Sequence, residues 1–177
     1  KGTVKFVVKP TNYMGFNVSD NSTKAASDIF ENRIVNAHFL LFDSAGNLMI
    51  HKPFEDVTNN SIPSQELDLD LQTGTVTACF IANVPSSIVS SFTKLDDMDD
   101  AVLSLDYYSG KVLDEDNRQN FFVVPEFDLK GDGEAEQCIP MIGMEECNLD
   151  SGNVFDISLK RLFAKVSMNI GIGNITQ

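Results

Sequence analysis

Tryptophan is absent from this chain, histidine occurs twice and cysteine three times in 177 residues. His38 and His51 stand in no HExxH or paired His/Cys spacing, so the sequence offers no zinc pattern. His38 lies inside an apolar run and reads as a core or sheet-face residue. Three cysteines, an odd number, argue against a fully paired disulfide framework. Cys79 sits in Thr75-Val-Thr-Ala-Cys-Phe-Ile-Ala and reads as a small core residue. Cys138 and Cys147 either pair across a loop or stay as buried thiols, which leaves the redox compartment open. Basic residues are scarce, 13 against 26 acidic ones, for a net charge of −13. Such a surface repels nucleic acid and anionic lipid and favours solubility. A continuous apolar run of about 18 residues is also missing, so no membrane-spanning helix is expected. No GxSxG, P-loop or GxGxxG motif occurs, and no catalytic constellation or cofactor site is expected.

What the sequence has is strand patterning. Val4, Phe6 and Val8 alternate with Lys5, Val7 and Lys9, which predicts a strand with those three facing the core and pairing along one edge of a sheet. Ile34 to Phe42 is an apolar stretch closed by Asp43-Ser-Ala-Gly-Asn, a turn returning into Leu48-Met-Ile. Glu66-Leu-Asp-Leu-Asp-Leu71 alternates strictly, and Gln72-Thr-Gly predicts a hairpin to a strand at Val76–Ala82. Phe121–Val124, Cys138–Met141 and Val154–Leu159 read as further strands. So does the segment in which Val166, Met168, Ile170 and Ile172 alternate with Lys165, Ser167, Asn169 and Gly171. Short helices are expected at Pro85–Phe92, with Pro in the first turn, and at Asp96–Leu105. Many short strands without βα alternation predict an all-β, antiparallel sandwich or barrel. Residues 10–32 form a long polar connection of the kind that is disordered or functional.

The remaining candidates are weak. Asp96/Asp97/Asp99/Asp100 and Asp128/Asp132/Glu134/Glu136 are acidic clusters without the spacing of a calcium loop, and read as solvated loop charge. Asn17, Asn21, Asn59 and Asn174 head formal glycosylation sequons. Tyr107-Tyr108 is the only tyrosine cluster, a thin basis for a carbohydrate-stacking platform.

Four segments, in order, resemble the fimbrillin family, the pilin subunits of Bacteroidales-type (type V) fimbriae. They are Thr3-Val-Lys-Phe-Val-Val-Lys; Arg33-Ile-Val-Asn-Ala-His-Phe-Leu-Leu-Phe-Asp with its Gly-Asn turn; Val76-Thr-Ala-Cys-Phe-Ile-Ala-Asn-Val-Pro; and Ile139-Pro-Met-Ile-Gly followed by Ile157-Ser-Leu-Lys-Arg-Leu-Phe-Ala-Lys-Val. In the last, Arg161, Ala164 and Lys165 match the family's Arg-x-x-Ala-Lys-Val. The resemblance implies a transthyretin-like antiparallel β-sandwich with Greek-key connections, occupying residues 1–172 as the N-terminal domain of a two-domain pilin. Residues 173–177 would begin a linker or the next domain, and the chain would be a trimmed or mature fragment of a lipoprotein precursor exported to the outer-membrane surface.

The implied function is a non-enzymatic fimbrial subunit supporting adhesion. A processing protease would cut the connection after the first strand at Lys24-Ala25, with Arg33 the second choice, although the family often carries Arg at the cut. Loss of the strand bearing Val4, Phe6 and Val8 would open a groove for a neighbouring subunit's strand. Implied partners are other fimbrial subunits, the protease, and a host or bacterial surface ligand, with no cofactor or metal. The alternative function is a surface carbohydrate-binding β-sandwich module.

Overall fold

A computed structural model of the chain describes residues 2–10, 33–55, 57, 61–69, 74–98, 126–150 and 154–162. In chain order the elements are β1 (Gly2–Pro10), β2 (Ala37–Phe42), β3 (Leu48–Phe54), β4 (Gln65–Leu69), β5 (Thr75–Ala82), α1 (Ser86–Val89), β6 (Glu126–Phe127), β7 (Glu136–Gln137), β8 (Met141–Asn148) and β9 (Val154–Arg161). The fold is all-β. Among the described residues seven strands form one sheet in the order β3-β2-β5-β8-β9-β1-β4, and β6 and β7 form a small separate pair.

The long sheet curls at β9, which runs beside β1 from Val154 to Leu159 and, among the described residues, pairs with β8 at Ile142↔Lys160 and Met141↔Arg161. Gly143 permits this close crossing. A Cβ there would lie 2.6 Å from the Ser158 carbonyl oxygen and 2.9 Å from Ile157 Cγ2. The β9–β1–β4 wing thereby covers one face of β2, β5 and β8. Val4, Phe6, Ile157 and Leu159 from the wing share a core with Phe39, Leu41, Val76, Ala78 and Phe80. Leu40, Phe42, Cys79 and Ile81 point the other way and pack under Val89, Phe92 and Met98. With both faces covered, every residue of β2 is buried. That explains a continuous apolar run where a one-sided strand would alternate.

The turn after β2 forms as the sequence predicts. The Asp43 carboxylate accepts hydrogen bonds from the amides of Ala45 and Asn47, at 2.9 and 2.8 Å, and from the Asn47 side chain. Those bonds, led by the one from the Asn47 side chain, lower the pKa of Asp43. Gly46 takes φ +79°, a conformation that costs glycine little.

Several expectations are corrected. The sheet is mixed, because β1 runs parallel to β9. The predicted hairpin between the Glu66–Leu71 and Val76–Ala82 segments does not form. β4 pairs with β1, and β5 pairs with β2 and β8. Alternation marks a strand's faces and leaves its partner open. β1 is flanked on both sides, and the edge position beside it belongs to β4. Cys138 and Cys147 are free, buried thiols, as is Cys79. Burial raises the pKa of all three, to about 12 for Cys138 and about 11 for Cys147. The strand expected from Cys138 begins at Met141. α1 starts just after Pro85, as expected. The strands expected at Phe121–Val124 and after Lys165, nearly all of the second helix and the boundary at residue 172 lie outside the described residues.

Candidate functional site

β1 lies in a slot between two strands of opposite sense. On one side β4 runs antiparallel, from Gly2↔Leu69 to Phe6↔Gln65. On the other β9 runs parallel, from Lys5↔Val154 to Pro10↔Leu159. The alternation read from the sequence governs its side chains. Val4 and Phe6 are buried in the core, and Val8 packs against it half-buried. The Phe6 ring lies 5.3 Å from Phe39 and 5.8 Å from Phe155, and Phe39 continues the tier to Phe80 at 4.9 Å. Full burial of one such side chain contributes about 1.5–3 kcal/mol, and favourable ring pairs add about 0.5–1.5 kcal/mol each. On the outward face, Lys5 Nζ lies 2.9 Å from Glu66 Oε1, its direct cross-strand partner. This pair is largely exposed and contributes little to stability.

The connection from β1 to β2 ends in a polar knot that the sequence reading missed. Asn83 is fully buried and has φ +60°. Its Nδ2 donates to the carbonyls of Arg33 at 2.7 Å and Ile139 at 2.8 Å, and its Oδ1 accepts the Val35 amide at 2.9 Å. The buried Asn36 answers with a bond from Nδ2 to the Val84 carbonyl at 2.8 Å. The knot fixes where the chain re-enters the fold before β2. A buried amide at the end of an apolar strand was the available signal, since such a group must be satisfied.

The sequence-predicted residues fall as follows. Val4, Phe6 and Val8 lie together on the inward face of β1. Arg33 is half-buried at the point of re-entry, with its carbonyl held by Asn83. Arg161 ends β9 opposite Met141 and is half-buried. Lys24, Ala25, Ala164 and Lys165 lie outside the described residues, as do Tyr107 and Tyr108. Asp128 organises its own loop, accepting the amides of Gly131 at 2.7 Å and Gly133 at 3.1 Å. Asp97 likewise accepts the amides of Thr93 and Lys94 and the Thr93 hydroxyl. Among the described residues no three His, Cys, Asp or Glu side chains converge to hold a metal. Among the described residues the large hydrophobic side chains that stand exposed are Met49, Met144 and Val154, none of them aromatic.

The second notable polar contact is the histidine pair. His38 Nδ1 lies 3.1 Å from His51 Nε2. His38 is buried and His51 half-buried, and His38 Nε2 has no hydrogen-bond partner. Burial first, then the neighbouring His51, pushes the pKa of His38 down to about 4. The pair is neutral at physiological pH and holds β2 to β3 in the core.

No family model and no curated protein matches the sequence. Solved structures that match the chain include a protein of Bacteroides eggerthii assigned to cell adhesion, at 15% identity and a TM-score of 0.46 over 90% of this chain and 39% of that one. A fimbrial assembly protein of Parabacteroides distasonis matches at 15% identity and 0.45, over 89% and 52%. The tip fimbrial protein Mfa3 of Porphyromonas gingivalis matches at 17% identity and 0.44, over 90% and 48%. The chain spans about half or less of the length of each.

Proposed function

We propose that this chain is a structural subunit of a bacterial cell-surface fimbrium that polymerises by exchange of its first strand, and that it acts without catalysis or cofactor. The carrying observation is the seating of β1. It is a separate strand whose apolar face completes the core, held by one antiparallel and one parallel ladder. It is joined to the rest of the fold through a connection of 26 residues, from Thr11 to Asn36. A strand so placed can leave without unravelling its neighbours in sequence. Its departure would expose unpaired backbone groups and an apolar stripe that another strand can satisfy. The ordered resemblance to fimbrillins supports the same reading. On it, Lys24-Ala25 is the processing site, the mature protein sits on the cell surface after export as a lipoprotein, and other subunits are the partners.

The test is limited trypsin treatment of the full-length gene product, followed by intact mass and negative-stain microscopy. The expected result is a first cut after Lys24, and filaments that lack residues 1–24. Filaments that retain residues 1–24, or that form without any cut between residues 10 and 33, would overturn the proposal.

A further inference from the structure

We infer that the slot filled by β1 selects its occupant by a basic–aromatic pair, so that the incoming strand carries a cation and then an aromatic residue at the positions of Lys5 and Phe6. This rests on the strand-exchange reading above and specifies the partner it requires, an extended segment of another protein chain.

Among the described residues β4 covers Gly2 to Phe6 and β9 covers Lys5 to Pro10, so the two ladders meet at Lys5 and Phe6. Among the described residues the rest of β1 is held from one side, residues 2–4 by β4 and residues 7–10 by β9. Backbone pairing is indifferent to side chains, so selectivity must come from the side chains, and at these two positions both faces of the strand meet a specific partner.

Inward at that point, Phe6 is fully buried between Phe39 of the opposite layer and Phe155 of β9. An alanine there would leave a ring-sized void in close-packed surroundings. Outward, Lys5 faces Glu66 in direct register at 2.9 Å. Once β1 has left, Glu66 has lost this cation on a chain of net charge −13. An acidic residue in that place would meet a like charge directly opposite, which destabilises a cross-strand pair. Two residues to either side of Phe6, Val4 and Val8 require only an apolar side chain. Val7 points outward, half-buried, and carries little of the choice.

The test inserts a recognition site for a sequence-specific protease between residues 20 and 21, cuts the purified chain there, and adds synthetic peptides. The intact mass of the N-terminal fragment left bound after gel filtration reports displacement. A peptide of the β1 sequence should displace the fragment, and its Val7→Ala version should do so within about threefold. The Phe6→Ala peptide should be weaker by roughly 150-fold or more. The Lys5→Glu peptide should be weaker by about tenfold, a gap that narrows in 1 M salt as the screening length falls to about 3 Å. Equal displacement by all four peptides would overturn the selectivity and leave strand exchange standing. Displacement by none, the parent β1 peptide included, would overturn strand exchange and this inference with it.

Discussion

At the residue scale, two buried polar side chains show what the sequence conceals. His38 was legible as a core residue from its apolar neighbours, but its contact with His51 depends on the β2–β3 register, which places His51 opposite Leu40. Asn83 stood in view at the end of an apolar strand, yet its three partners come from residues 33, 35 and 139, far apart in sequence. Local patterning cannot list such partners. The histidine has a measurable consequence. Its folded-state pKa of about 4 lies below the ordinary 6.5. Between these values the unfolded chain binds a proton that the folded chain refuses, so acidification through this window destabilises the fold. One such group contributes about 3 kcal/mol of loss between pH 7 and pH 4. His38→Gln should flatten that part of the stability–pH curve, measured by urea unfolding at fixed salt. A parallel curve for the variant would show that His38 does not carry the loss.

At the element scale, strands buried on one or both faces were legible and their partners were not. Phe39-Leu-Leu-Phe and Cys79-Phe-Ile-Ala are apolar throughout because the sheet they share is covered on both sides. The leucine–acid alternation after Glu66 marked a strand correctly, but the turn signal at Gln72-Thr-Gly suggested the wrong neighbour. Pairing with β1 brings Lys5 opposite Glu66, a match made across 61 residues. The bend that makes room for this exchange of partners depends on Gly143. Gly143 closes the segment Ile139-Pro-Met-Ile-Gly, but the reason for glycine is the close approach of the Ser158 backbone, which sequence alone does not reveal. Gly143→Ala places a methyl group against backbone that has no free rotation to yield. The β8–β9 crossing must then separate, at an expected cost of about 2 kcal/mol. Thermal unfolding should show a drop in midpoint of several degrees. Gly131→Ala serves as the comparison for crowding: there the added atom meets open space and the cost is conformational, since φ is +73°. Equal losses in the two variants would remove the case for a tight crossing.

At the scale of the whole molecule, the wing of β9, β1 and β4 and the central strands β2 and β5 differ in how they are secured. β2 and β5 pair on both sides and are covered on both faces. Among the described residues β4 pairs with β1 alone, and β9 before Lys160 pairs with β1 alone. Opening β1 must therefore free the backbone of both neighbours, and the three should exchange their amide hydrogens as one cooperative unit. Phe6 is the main apolar anchor of that unit against the central strands. Phe6→Ala removes it at a cost of about 3–5 kcal/mol to any state in which the wing is docked. Native-state hydrogen exchange followed by mass spectrometry, at low urea concentrations, separates this unit from the rest. Peptides covering residues 2–10, 65–69 and 154–159 should become labile together in the variant. Those covering 37–42 and 75–82 should keep their protection until global unfolding. If residues 65–69 open independently of residues 2–10, or if 37–42 lose protection in step with the wing, β1 is not the keystone of a separable unit. The physical basis for a strand that can leave while its host stays folded would then be gone.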